Sequence, residues 1–147
     1  MGETYLIVKY KDKSDSCKIT VLPTDGVIEE PEILFGSGKD VIKLKEKNTL
    51  ESEGETFLIY RIDKYNKVEY YFRDGGLYLI HKFTGTDHYD KAYNMLREMY
   101  QFVEDKEGKV YRKRDLWVKL TRTQADGSSI YYSNIRTELG LFLDLYL

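Results

Sequence analysis

This chain of 147 residues has few of three residue types, with one cysteine, two prolines and one tryptophan. The single cysteine, Cys17, cannot form an internal disulfide, which indicates a reducing, cytoplasmic compartment. The N-terminal residues lack a basic segment followed by a long apolar one, so we expect no signal peptide. No apolar run approaches the ~18 residues that a membrane-spanning helix requires. The sequence therefore predicts a cytoplasmic protein that does not span a membrane.

Composition and length favour one folded domain over residues 1–147. Hydrophobic residues make up 41% of the chain and charged residues 33%, which excludes a disordered or fibrous protein. A chain of this length can bury a full core. The formal net charge of −2 argues against a nucleic-acid binder that uses its whole surface.

Tyrosine is the residue type present in excess, with 14 copies against six phenylalanines. Its ring is apolar, but its hydroxyl needs a hydrogen-bond partner when it is buried, so tyrosine favours half-wet surfaces and interfaces. This composition predicts a protein that works by contact with another molecule. The tyrosines expected to make such contacts are Tyr65, Tyr71, Tyr78 and Tyr111.

Alternating apolar and polar residues predict antiparallel strands in the first half of the chain. An N-terminal hairpin is expected to pair residues 4–10 with residues 16–22. The following residues, 23–54, contain both prolines and several glutamates, and only residues 40–44 read as a strand. We expect this acidic segment to be irregular and to contact a partner.

A three-stranded meander is the clearest β-sheet pattern, with strands predicted at residues 56–62, 67–73 and 77–83. If the register is uninterrupted, Leu79 and His81 lie on the core face, whereas Ile80 and Lys82 lie on an amphipathic face. The chain also contains a short similarity between residues 2–7 and 54–59. We interpret that similarity as convergence of strand patterns rather than duplication.

The hydrophobic period changes to that of a helix after the meander. Apolar residues from Tyr89 to Val103 recur at i, i+3, i+4 and i+7 spacing, which predicts an amphipathic helix over residues 87–104. Thr86 or Asp87 is expected to cap its start. Together with the strands, this helix predicts an α+β fold in which a mainly antiparallel sheet carries one long helix on one face.

The C-terminal residues 134–147 fit a helix and a strand about equally well. Their leucines alternate as in a strand, but leucine favours a helix more than valine or isoleucine does, with Ser133 or Asn134 as the cap. The segment is too apolar for a free tail. We therefore expect it to complete the core or to form a homodimer contact.

Residues 109–123 read as a strongly basic strand. It combines cations with Tyr111 and Trp117, a composition that suits phosphate tracking and base stacking. Strand alternation divides the cations between two faces, and charges on an edge strand also discourage aggregation. We expect a protein contact or a structural edge here, and nucleic-acid binding through residues 109–122 is the alternative.

The amphipathic face of the meander is the second candidate surface, because arginine and tyrosine, which are enriched at binding hot spots, occur there together. The predicted partner-binding residues of the two surfaces are Arg61, Tyr71, Arg73, Tyr78, Lys82, Tyr111, Arg112, Arg114 and Arg122. The leading hypothesis is a small non-enzymatic binding protein that docks onto a protein partner in a regulatory or inhibitory role.

The two histidines, His81 and His88, are the remaining candidates for chemistry. Neither belongs to a motif with metal-ligand spacing, and Cys17 has no neighbouring base that would activate it. The sequence therefore predicts no catalytic residue, no metal site and no cofactor. A small-ligand pocket or an enzyme site near His81 and His88 stays open as a second alternative.

Overall fold

The computed structural model describes residues 2–21, 28–85, 88–105, 108–122 and 127–138. It is mostly β, with 53% strand and 16% helix. Within these residues, ten strands and two short helices follow one another: β1 (Gly2–Tyr10), β2 (Lys13–Val21), α1 (Lys39–Lys45), β3 (Thr49–Glu53), β4 (Phe57–Arg61), β5 (Lys67–Arg73), β6 (Gly76–Thr84), α2 (Tyr89–Met99), β7 (Gln101–Asp105), β8 (Lys109–Lys113), β9 (Leu116–Arg122) and β10 (Ser128–Ser133).

The strands form two separate antiparallel sheets. In the described part of the chain, β1 and β2 pair only with each other, and we refer to this hairpin, residues 2–21, as the ribbon. The other eight strands form the main sheet in the order β3-β4-β5-β6-β10-β9-β8-β7. The predicted N-terminal hairpin and meander are thereby confirmed as strands.

The core lies on one face of the main sheet, which we call the inner face. Both helices and the segment that precedes α1 contribute apolar side chains to it. Its buried members include Ile42, Leu58, Tyr60, Val68, Tyr70, Phe72, Ile80, Ala92, Met95, Leu96, Val118, Leu120, Ile130 and Tyr132. On the opposite, outer face, Leu79 and Tyr131 form a smaller cluster with Tyr71, Tyr78 and Trp117.

The predicted α+β fold with one long helix over residues 87–104 is wrong. Helix α2 ends at Met99, and the next residue, Tyr100, is extended, with φ −130° and ψ 151°. The chain then continues as β7, which pairs with β8. The aromatic and β-branched residues Phe102 and Val103 favour a strand once a pairing partner is available, which overrides their helical spacing. The predicted caps Thr86 and Asp87 lie outside the described residues.

Two further element predictions are also wrong. Residues 40–44 are not a strand but part of helix α1, which buries Ile42 and places Asp40 in its first turn and Lys43 in its last, as the helix dipole favours. The segment predicted as one basic strand, residues 109–123, forms two strands over its described residues, 109–122. The chain reverses between β8 and β9 at Arg114, whose φ is 56°.

The predicted register of β6 is wrong because a β-bulge interrupts its pairing with β5. Tyr78 is the extra residue in this ladder. The bulge turns Leu79 and His81 to the outer face and Ile80 and Lys82 to the inner face, the reverse of the expected arrangement.

The main sheet repeats one structural unit twice. The order α1-β3-β4-β5-β6 is matched by α2-β7-β8-β9-β10, and the units meet at β6 and β10, so the strand order is the same from either edge. A register shift interrupts the first strand pair of each unit, between Leu50 and Ser52 and between Phe102 and Glu104. This repeat does not correspond to the sequence similarity of residues 2–7 and 54–59, which lie in the ribbon and around the start of β4.

The C-terminal prediction falls largely outside the described residues, which end at Glu138. Within them, the Ser133 hydroxyl oxygen accepts a hydrogen bond from the Ile135 amide at 3.1 Å. The helical or extended state of residues 139–147 and their expected homodimer contact stay predictions. No described helix has the length and apolar character needed to cross a membrane.

Candidate functional site

Two of the three arginines of the predicted basic surface, Arg112 and Arg122, lie over aromatic rings of the same chain. The guanidinium carbon of Arg112 is 4.8 Å from the centre of the Trp117 ring, and that of Arg122 is 4.3 Å from the Tyr89 ring centre. Arg112 Nε also donates a hydrogen bond to the carbonyl oxygen of Arg114 (2.7 Å), in the β8–β9 turn. These ring faces already hold a cation, so a base could stack on them only if the cation moved. Nucleic-acid binding here stays a prediction.

Tyr111 lies in the core rather than on the basic surface. Its ring is completely buried and meets the Phe102 ring edge-to-face at 5.8 Å between centres. Its hydroxyl has no hydrogen-bond partner among the described residues, and burial raises its pKa. Tyr111 therefore packs β8 against β7 within the core and is not accessible to a partner.

Two predicted arginines of the meander have carboxylate partners within the chain. Arg73 donates from both terminal nitrogens to the two carboxylate oxygens of Glu138, at 2.8 and 3.0 Å, and its guanidinium carbon is 4.2 Å from the Tyr78 ring centre. Arg61 forms an ion pair with Glu51 across the β3–β4 edge. A protein partner that used these arginines would have to compete with both carboxylates.

Lys82 is buried on the inner face, away from the predicted partner surface. Its ammonium group donates a hydrogen bond to the carbonyl oxygen of Glu29. Glu29, Glu30, Glu32 and Glu46 surround it in a cavity of about 220 Å³. Burial lowers the pKa of Lys82, although the neighbouring carboxylates oppose that shift. Lys82 therefore anchors part of the acidic segment to the sheet.

A hydrogen-bonded network that the sequence did not reveal crosses three strands of the outer face. His81 Nδ1 is 2.9 Å from Glu69 Oε2, and His81 Nε2 is 3.0 Å from the Ser129 hydroxyl oxygen. Tyr71 donates a hydrogen bond to the same Glu69 oxygen at 2.7 Å. The Tyr131 ring stacks on His81, with 4.5 Å between the ring centres. The network thus joins β5, β6 and β10 at the centre of the sheet.

This network has the order of groups found in serine nucleophile sites, hydroxyl, imidazole and carboxylate. Ser129, however, is only 3% exposed, so its hydroxyl is closed to a substrate. Burial alone would raise the pKa of Glu69, but hydrogen bonds from His81, Lys67 and Tyr71 outweigh it and lower the pKa to about 2. We assign the network a structural role, in which the buried Glu69 carboxylate of the outer face is held by its hydrogen-bond partners.

The second histidine, His88, is exposed at the start of α2. It lines a cavity of about 380 Å³ together with Gly85 and the β4–β5 turn, residues 63–66. The same turn lines a larger cavity of about 520 Å³ on the outer face, which we call the turn cavity. Among the described residues, His81 lines neither cavity, and no group of three His, Cys, Asp or Glu side chains is arranged to hold a metal ion.

The ribbon is the region whose exposure sequence reasoning missed. Its two strands pair over their full length, and the chain turns at Lys11, whose φ is 50°. Every side chain from residue 5 to residue 19 is exposed. The large apolar side chains include Tyr5 (61% exposed), Leu6 (55%), Ile7 (59%), Val8 (58%) and Tyr10 (71%). An isolated two-stranded hairpin is at best marginally stable in water, so this exposure calls for an explanation.

Comparison with protein-family models, curated proteins and solved structures finds no match for this chain.

Proposed function

We propose that this chain is a small binding protein that docks onto a protein partner through the ribbon. The observation that carries the proposal is that every side chain of residues 5–19 is exposed, several apolar ones by more than half. Contiguous exposed apolar surface marks interaction sites in soluble proteins. A regulatory or inhibitory role fits this mode of docking, since an extended ribbon can occupy a groove or a strand edge that the partner itself uses.

One face of the ribbon is better suited to docking than the other. Cross-strand neighbours lie on the same face of an antiparallel pair, so Leu6 and Val8 share a face with Cys17, the neighbour of Leu6. That face also contains Ile19 and one carboxylate, Asp15, which is next to Val8. On the opposite face, Ile7 is next to Ser16 and Tyr5 is next to Lys18. The face of Leu6 and Val8, the apolar face, is therefore the one that we expect to be buried.

The charge of the ribbon indicates what surrounds the partner's binding surface. Residues 2–21 carry four lysines against three carboxylates, whereas the whole chain has a net charge of −2. Lys11 lies in the turn next to Asp12, and Lys9 and Lys13 flank it. We propose a partner with an apolar groove or a free strand edge that is rimmed by acidic residues, because complementary charge steers and orients docking.

The energy available from the apolar face is sufficient for specific binding. Full burial of a leucine or valine side chain is worth roughly 1.5–3 kcal/mol, and more than half of that surface is still exposed on Leu6 and Val8. Replacing both by serine should weaken binding by about 2–3 kcal/mol, or roughly 30- to 150-fold. Both positions are exposed, so the replacements should leave the main sheet folded.

The test compares two matched double variants in capture from the native host, followed by affinity measurement with the purified captured protein. Leu6→Ser with Val8→Ser changes the apolar face. Tyr5→Ser with Ile7→Ser changes two equally exposed apolar residues of the same strand on the other face. A third variant, Arg112→Ala with Arg114→Ala, tests the surface predicted from the sequence.

We expect the first variant to lose the partner and the other two to bind within about threefold of the unaltered chain. The proposal would be contradicted if the first variant bound the partner as tightly as the unaltered chain does. It would also be contradicted if only the arginine variant lost the partner. If the captured protein is a second copy of this chain, and sedimentation velocity shows a dimer that the first variant abolishes, the ribbon is a self-association arm and the proposed heterologous partner is wrong.

A further inference from the structure

The turn cavity has the size and lining of a small-molecule site, independently of the ribbon. Its volume of about 520 Å³ lies within the roughly 300–1,000 Å³ range of ligand pockets. Ile59 of β4 and Phe83 of β6 contribute apolar surface to its floor on the outer face, on either side of Lys67 in β5, and Tyr65 in the β4–β5 turn forms a wall. An apolar ring would therefore find contacts on more than one side.

The wall of the turn cavity is held in place by hydrogen bonds. Asp63 Oδ1 accepts from the backbone amides of Tyr65 (2.7 Å) and Asn66 (3.0 Å). Asn66 Oδ1 in turn accepts from the Gly85 amide at 3.0 Å. A Cβ atom at Gly85 would lie 2.6 Å from the Tyr65 Cβ atom, so glycine permits this close contact. The backbone of the wall is therefore held in one conformation before a ligand binds, which reduces the entropy cost of binding.

Three cations and two carboxylates line the turn cavity. One of these carboxylates, Asp63, is already engaged by the Tyr65 and Asn66 amides and by the Asn66 side chain. Arg61 is paired with Glu51, and Lys67 Nζ is 2.6 Å from Glu69 Oε1. Lys64 has no carboxylate within ion-pair distance among the described residues, and its Nζ is 5.0 Å from the Tyr65 ring centre. Lys64 and the Tyr65 ring thus present a positive charge and an aromatic surface side by side at the rim.

The geometry points to a binding site for a small amphipathic molecule with a flat apolar ring and one anionic group, such as an aromatic carboxylate or sulfonate. The ring lies against Ile59, Phe83 and Tyr65, and the anionic group lies next to Lys64. The turn cavity shares no residue with the ribbon, so a ligand would bind there independently of the proposed docking.

Two fluorescent probes of similar shape test the inference on the full chain. 1-Anilinonaphthalene-8-sulfonate carries the anionic group, and N-phenyl-1-naphthylamine lacks it. Lys64→Glu should weaken binding of the sulfonate by at least about fivefold, because it replaces an attractive charge by a repulsive one. Its affinity for the uncharged probe should stay within about twofold of that of the unaltered chain. Lys45→Glu, an exposed lysine of α1, makes the same charge change elsewhere and should affect neither probe.

A second pair of variants tests the location of the ring. Tyr65→Ala should weaken the binding of both probes. Tyr5→Ala in the ribbon should leave it unchanged, although both tyrosines are 61% exposed. The inference would be overturned by an unchanged sulfonate affinity in Lys64→Glu. It would equally be overturned if Tyr5→Ala weakened the probes as much as Tyr65→Ala did, because the probes would then bind the ribbon.

Discussion

The ribbon and the main sheet contain strands with the same apolar pattern but opposite burial. In the ribbon, Leu6, Val8 and Tyr10 are 55%, 58% and 71% exposed. In β5, the equally spaced Val68, Tyr70 and Phe72 are 1%, 0% and 5% exposed. Alternation fixes which side chains share a face, but burial of that face depends on a second layer. The helices supply this layer for β5, and no described element supplies it for the ribbon.

The comparison predicts a large difference in local stability between the two regions. Amide protons at the β6–β10 pair should exchange only through near-global unfolding, whereas those of the ribbon should exchange through local opening. We expect opening free energies that differ by roughly 5 kcal/mol or more, measured by hydrogen exchange with residue-level resolution. Comparable protection in both regions would mean that the free chain covers the ribbon, and the contrast between them would be lost.

Truncating one leucine in each region should separate them in global stability. Leu58 is completely buried, so Leu58→Ala should lower the free energy of unfolding by roughly 3–4 kcal/mol through lost burial and the resulting cavity. Leu6→Ala should change it by less than about 0.5 kcal/mol. Urea denaturation measures both, and a loss of 2 kcal/mol or more in Leu6→Ala would show that the ribbon is packed in the free protein.

Acid should destabilise the main sheet through Glu69, whose pKa is lowered from 4.5 to about 2. A carboxylate whose pKa is lower in the folded than in the unfolded state stabilises the folded protein at pH values above its unfolded-state pKa. This stabilisation is lost as the pH falls towards the folded-state pKa. The stability advantage of the unaltered chain over Glu69→Gln should therefore shrink by roughly 3 kcal/mol between pH 5 and pH 2.

The control for this experiment is Glu55→Gln, which changes an exposed glutamate just before β4. Its stability difference from the unaltered chain should stay nearly constant over the same range. If the stability difference between Glu69→Gln and the unaltered chain also stayed constant between pH 5 and pH 2, the structural role assigned to the network would be contradicted.

Local signals account for what the sequence predicted correctly. The hairpin of β1 and β2 and the three meander strands were found because alternating residues are interrupted by turn sequences. Asp63 accepts hydrogen bonds from the two amides after it, and Asp74 and Gly75 have positive φ values. Both are short-range effects that can be recognised from neighbouring residues.

The errors arose where distant parts of the chain determine the structure. The end of α2 depends on β8 as a pairing partner, and the β6 bulge depends on how the meander packs. The Glu69–His81–Ser129 network joins residues that are 12 and 48 positions apart. The turn cavity combines β4, β6 and the turn after β4 in the same way. No local pattern in one sequence indicates such contacts.

Two buried tyrosines of the inner face give small predicted effects of opposite sign. The Tyr70 hydroxyl donates to Glu46 and accepts from the Glu32 amide, so Tyr70→Phe should cost about 1–2 kcal/mol. The Tyr132 hydroxyl has no partner among the described residues, and Tyr132→Phe should be neutral or stabilising by up to about 1 kcal/mol.

Chemical denaturation of the two variants under identical conditions measures this difference. Each change removes one oxygen atom from a completely buried ring, so the apolar packing term is the same for both and the sign reports the hydrogen bonds alone. Equal losses in the two variants would show that Tyr132 has a partner in the folded protein. The division of the core tyrosines into a bonded and an unbonded set would then be wrong.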